Sequence, residues 1–219
     1  MKLATTRWLS WGNAVSRILD QWDALRELFT KEGSAGKDAC FAAVTLSRMY
    51  NTTNKLYFVF LRPLLRDVNK YNMLFQSTYA DITKVYKDLR MFVFSTARRI
   101  LRRESIPEVS SEEGILRTTE LSALRQAVND SRNYLPLDQV GFDESFKTLA
   151  AQLALPSPVL DTIRTACGGF LLRLVREMLD RLPSCIETVE RLRFFAPVRV
   201  LARRARPLFS QLPLDLIRE

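Results

Sequence analysis

Residues 157–182 read SPVLDTIRTACGGFLLRLVREMLDRL, and the spacing inside this stretch decides the fold. Val159, Leu160, Ile163, Ala166, Cys167, Phe170, Leu171, Leu174, Val175, Met178, Leu179 and Leu182 recur three and four residues apart. That period places them on one side of a helix of roughly six turns. Ser157 followed by Pro158 is a helix start, since proline loses nothing in the first turn, and Pro183 is a stop. Gly168 and Gly169 cost such a helix roughly 1 kcal/mol each relative to alanine. The stretch predicts one long helix at the centre of the molecule.

The same period extends outward. Trp11, Ala14, Val15, Ile18, Leu19, Trp22, Leu25, Leu28 and Phe29 form a helical stripe, with Ser10 as N-cap and Gly33 as the stop. A polar linker over 31–37 leads to a helix over 38–50, with Ala42, Ala43, Leu46 and Met49 inward. Asn51 to Asn54 reads as a break or a new N-cap. Leu56 to Leu61 is an unbroken apolar run that suits a buried strand as well as a helix. Leu64, Leu65, Val68, Tyr71, Leu74 and Phe75 continue it at helical spacing, so one helix kinked near Pro63 is expected. Further helices are expected over 81–103, 118–128 and 143–155, then one opened by a Ser184/Glu187 capping box and a last one over 198–205. The segment 104–117, acidic and containing Pro107, reads as a mobile loop. The expectation is a single all-α domain over 1–219, an irregular bundle of roughly eight to ten helices.

Composition agrees. The 219 residues include only 7 Gly and 9 Pro, few for a sheet-rich fold, while 47% are hydrophobic, enough for a sizeable core. There are 33 Lys and Arg against 24 Asp and Glu, a net charge of +9. Such an excess fits contact with nucleic acid or another polyanion, and equally a basic but inert surface. Cys40, Cys167 and Cys185 are widely spaced and odd in number, which argues against a disulfide framework or a zinc site. The sequence has no histidine, which removes histidine bases, triads and ligands. No apolar run approaches the ~20 residues that cross a bilayer, and the first residues lack the apolar core of a signal peptide. A soluble intracellular protein is expected.

Thr6-Arg7-Trp8-Leu9-Ser10, Gly12-Asn13-Ala14-Val15 and Trp22-Asp23-Ala24-Leu25, with Asn69 to Ser77 and Phe170 to Pro183 later in the chain, together resemble the hAT-superfamily transposases around their Arg-Trp motif. The resemblance is nearer to the domesticated vertebrate members, and covers most of the chain. In that family a large helical insertion interrupts a core of RNase H type, whose three acidic residues bind divalent metal. Two of those acids precede the Arg-Trp motif and one follows the insertion. The resemblance therefore implies an insertion domain without its catalytic core, no enzymatic activity, and a nuclear location.

Two-metal phosphoryl transfer needs carboxylates on a rigid frame holding ions about 4 Å apart. Asp20, Asp23, Asp88 and Glu177 instead read as solvated helix faces, and no metal ligand or catalytic residue is assigned. Arg7 and Trp8 are candidate nucleic-acid contacts. The resemblance implies that the tryptophan can stack on an extruded base, while without a catalytic core the favoured reading of Trp8 is a core position beside Trp11 and Trp22. Arg199, Arg203 and Arg206 share a helix face and could meet phosphates. Arg98, Arg99, Arg102 and Arg103 are read as cations complementing a helix C-terminus. No phosphate loop or nucleophile elbow is present, so no cofactor and no small-molecule substrate are expected. DNA, protein partners or self-association remain as partner classes, with a protein-interaction module lacking DNA binding as the alternative.

Overall fold

A computed structural model describes residues 5–34, 41–76, 82–107, 118–181, 201, 208, 209, 212 and 214. The fold is all-α. Among the described residues there are eight α-helices and no strand. They are α1 (Thr5–Asp20), α2 (Trp22–Gly33), α3 (Phe41–Met49), α4 (Thr52–Gln76), α5 (Ile82–Ala97), α6 (Thr118–Asn129), α7 (Glu144–Leu153) and α8 (Ser157–Arg181). The chain forms two compact units, one of residues 1–73 with 137–169, the other of 74–136 with 170–219. The expected loop tip over 108–117 and the expected helices beyond residue 181 lie outside the described residues.

In α8 the buried side chains are Ile163, Cys167, Leu171, Val175 and Leu179, four residues apart at each step. Four residues turn about 400° round a helix, so the buried row shifts by about 40° per step and by about 160° along its length. The first two members belong to the first unit and the last three to the second. The row is narrower than the stripe read from the sequence. Val159 and Phe170 are exposed.

The first unit corrects the reading of its N-terminal helix. Helix α1 starts at Thr5, upstream of the expected cap at Ser10, and the expected single helix is divided at Gln21. The two segments are tied down separately. In α1, Gly12 faces Leu65 and Asn69 of α4 closely enough that a Cβ would meet the Asn69 amide. Arg62 of α4 donates to the Ser16 carbonyl at 3.2 Å and to the Asp20 carboxylate. In α2, Trp22 is buried, its ring centroid 4.8 Å from Tyr50 and 5.5 Å from Phe58. On an unbroken helix Gly12 and Trp22 would point about 80° apart. The interruption at Gln21 relieves both attachments of that fixed angle. Of the expected stripe, Val15 and Trp22 are buried, whereas Trp11 is 59% and Leu28 49% exposed.

Helix α4 settles the ambiguous apolar run. Residues 56–61 are helical, and Pro63 lies inside the same helix, where it withdraws one backbone donor. Leu56, Phe60 and Leu64 are buried at four-residue spacing. Asn51 opens the helix by accepting the Asn54 N–H on Oδ1 at 2.7 Å. Phe60 also meets Phe142 and Phe146, and those two stack at 4.6 Å. Phe146 sits in α7, capped by Asp143, whose Oδ1 accepts the Ser145 N–H at 2.9 Å. On α3, Ala43 is buried as expected, but Ala42 and Met49 are exposed.

The second unit buries Phe92, Val93, Phe94 and Ala97 of α5 against the core that Leu121, Leu124, Ala127 and Val128 of α6 and the second half of α8 also enter. Arg90 and Glu120 are buried, with Arg90 Nη2 3.7 Å from Glu120 Oε2. Glu120 lies in the first turn of α6, where the helix dipole favours a carboxylate. Helix α5 stops at Ala97 rather than running to Arg103.

Two backbone positions yield opposite predictions. A Cβ on Gly33 would lie 3.3 Å from the Val44 Cα of α3, and backbone atoms cannot swing aside as a side-chain tip can. Gly33→Ala is expected to cost about 1 kcal/mol, read from the denaturation midpoint; an unchanged midpoint would mean that α3 yields. Ala154 ends α7 in the left-handed region with φ 42°. Ala154→Gly is expected to stabilise by about 1 kcal/mol by removing the Cβ clash of that conformation, and a fall in the midpoint would refute that account.

Candidate nucleic-acid interface

Three exposed arginines of the second unit, Arg98, Arg102 and Arg103, follow the end of α5. Thr96 turns its hydroxyl back to the Phe92 carbonyl at 2.8 Å. The Ile100 and Leu101 amides then both donate to the Ala97 carbonyl, at 3.0 and 2.9 Å, closing the last turn. Beyond it the chain pairs with a segment more than thirty residues downstream. Arg102 N–H donates to the Asn133 carbonyl at 2.8 Å, Leu135 N–H donates to the Ile100 carbonyl at 2.9 Å, and Leu101 and Tyr134 form an isolated antiparallel bridge. A 3-10 turn over Arg103–Ser105 follows.

Burial divides the side chains of this segment. Ile100, Leu101 and Ile106 are buried, whereas Arg98, Arg102 and Arg103 are exposed. Arg99 is half-buried. Arg102 Nε donates to the Tyr134 carbonyl at 3.3 Å, which fixes where its guanidinium stands. Among the described residues the neighbouring acids are Glu104, exposed, and Asp130. Asp130 is engaged by Arg132, which donates Nε to both carboxylate oxygens and Nη2 to Oδ2 at 2.7 Å. That side-chain bonding, with the Arg132 backbone N–H, holds the Asp130 carboxyl below the usual carboxylate range.

The partner segment is itself held firmly. Ser105 Oγ bonds Asn133 Oδ1 at 2.9 Å, and Asn133 Nδ2 donates to the Ala127 carbonyl at 3.2 Å. Tyr134 donates its hydroxyl proton to the Val128 carbonyl at 2.7 Å. Arg176 of α8 donates Nη2 to that same carbonyl at 3.1 Å and to the Tyr134 oxygen at 3.0 Å. The carbonyls at the end of α6 thus receive the donors that a helix C-terminus lacks, one of them cationic.

The residues singled out from the sequence fall elsewhere. Arg7 and Trp8 lie in α1, with their side chains outside the described residues. Arg199, Arg203 and Arg206 are outside the described residues altogether. Within the stretches that carry the family resemblance, Gly12 and Asn69 meet at the α1–α4 approach, and Trp22 is the buried centre of an aromatic group. Of the arginines at 98–103, read from the sequence as closing a helix, Arg98, Arg102 and Arg103 are exposed beyond its end and Arg99 is half-buried. Only their density was visible in advance, because their partner segment is remote in sequence.

Among the described residues no three His, Cys, Asp or Glu side chains stand close enough to share a metal ion. No helix among them is long and apolar enough to cross a membrane. Comparison with known proteins finds no matching family model, no similar curated protein and no similar solved structure.

Cys167 is the one cysteine among the described residues, and it is buried in α8. Burial pushes its thiol up to about 12 from an ordinary value of 9.0, so it stays protonated and poorly nucleophilic. In a Cys40→Ser/Cys185→Ser variant, thiol reagent at neutral pH should label Cys167 only after denaturant is added; rapid labelling of the folded protein would contradict its placement. Because the folded pKa is the higher one, the unfolded chain releases this proton first. The stability that wild type holds over Cys167→Ala should therefore shrink as pH rises from 9 towards 12.

Proposed function

We propose that the chain is a non-catalytic helical module of hAT-transposase type that engages DNA in the nucleus or supports assembly of a larger protein. The reading rests foremost on the charge: an excess of nine cations over anions in a chain without histidine. A surplus of that kind attracts a polyanion over several ångströms and releases counterions on contact. The all-helical architecture accords with an insertion domain, and the exposed arginines of the second unit give the charge a defined place. Arg7 and Trp8, from the family resemblance, and Arg199, Arg203 and Arg206, from their shared basic helix face, remain the proposed contacts.

A second reading, a protein-interaction module without DNA binding, has its own support. Phe41 is 86% exposed on α3, with Met49 and Leu28 also about half exposed in the same unit. Large apolar side chains in water favour a partner surface.

Duplex DNA titrated with the chain at increasing salt separates the two. The DNA reading expects an affinity that falls linearly on log–log axes with a slope of several units, and that weakens further when Arg199, Arg203 and Arg206 become alanine. Absence of binding at low salt would discard it and leave the interaction module.

A further inference from the structure

The exposed arginines at the end of α5 differ from an ordinary basic surface in how they are held. Long cationic side chains on a free helix face each surrender rotamer freedom when they meet a phosphate, and a loose loop adds its own backbone entropy. Here the backbone of 100–102 is already fixed by two amide–carbonyl bonds to residues 133 and 135. Ile100 and Leu101 sink into the core on either side of those bonds, and Ser105 is tied to Asn133. Arg98, Arg102 and Arg103 therefore project from a segment whose conformation is settled before any ligand arrives. Among the described residues, the acids next to them in the chain and on the paired segment are Glu104, exposed, and Asp130, which is bound to Arg132.

The chemistry of the set narrows the ligand. Guanidinium groups present flat arrays of donors that match phosphate oxygens, often two at a time. Several of them along one short segment suit a ligand with repeated anionic groups, rather than a single carboxylate. No exposed aromatic ring accompanies them in residues 98–106, so base stacking of the kind used by single-strand readers has no platform. We infer that residues 98–103, pinned against 133–135, form a preorganised seat for the phosphodiester backbone of duplex nucleic acid, with Arg98, Arg102 and Arg103 as the phosphate-binding cations. The seat rests on the DNA-engaging reading above and gives it a location that does not depend on Arg199, Arg203 and Arg206.

Fluorescence anisotropy of the full chain with a labelled duplex, repeated over a series of salt concentrations, tests both layers. Arg98→Ala/Arg102→Ala/Arg103→Ala should weaken binding by about tenfold or more at low salt and lower the salt slope by roughly 2 to 3, as expected for three lost phosphate contacts. The corresponding triple lysine variant should keep most of the slope, because it keeps the charge. Asn133→Ala, which loosens the segment and leaves every cation in place, should weaken binding several-fold with the slope preserved. Circular dichroism and the melting midpoint identify the folded variants, and the lysine variant serves if the alanine variant does not fold: its slope must then match wild type, with an affinity lowered by loss of the planar fork. A triple alanine variant that binds with wild-type affinity and slope would overturn the seat while leaving DNA engagement intact. Failure of the wild-type chain to bind at low salt would overturn both.

Discussion

A row of buried side chains spaced by four residues in α8, Ile163 to Leu179, is the constraint on which the cores depend. Its upper members belong to the first unit and its lower members to the second, so one helix supplies buried surface to both. Truncating a fully buried leucine of this kind costs roughly 2 to 5 kcal/mol, a large share of the stability of an ordinary domain. At Gly168 and Gly169 a Cβ would meet nothing within 4 Å, so neither glycine is needed for close packing.

Helical periodicity made most of the fold legible. The all-α class, the extent of α8, the continuity of α4 through Pro63 and the position of α6 all follow from patterns within twenty-five residues or fewer. Each of these elements buries apolar residues along its own length, so its pattern is local. The errors share the opposite cause. The break at Gln21 answers two attachments made by other helices, Gly12 on α4 and Trp22 on Tyr50 and Phe58. The early end of α5 answers a pairing with Tyr134 and Leu135. In both places a propensity that would have continued the helix yields to contacts whose partners lie far along the chain, and composition carries no sign of them.

The arginine surface illustrates the same division. A count of guanidiniums between residues 98 and 103 is visible in the sequence, and charge at a helix C-terminus is a sound reading of it. What converts that count into an interface is the termination of the helix before the arginines. Beyond that end Ile100 and Leu101 turn inward, while Arg98, Arg102 and Arg103 stay exposed. The buried pair Arg90 and Glu120 shows a contrasting use of charge in the same unit. Held within the core, it contributes through removal of either partner being costly rather than through long-range attraction.

The manner in which residues 98–103 are fastened separates retention from affinity. Ile100, Leu101 and main-chain amides hold the strand in place, and none of the exposed guanidiniums supplies that grip except the single Nε contact of Arg102. The outward positions are consequently open to drift: lysine, glutamine or glutamate could replace an arginine there with little effect on folding. A lineage could thus raise, lower or abolish its attraction for polyanions by a few surface substitutions on an unchanged scaffold.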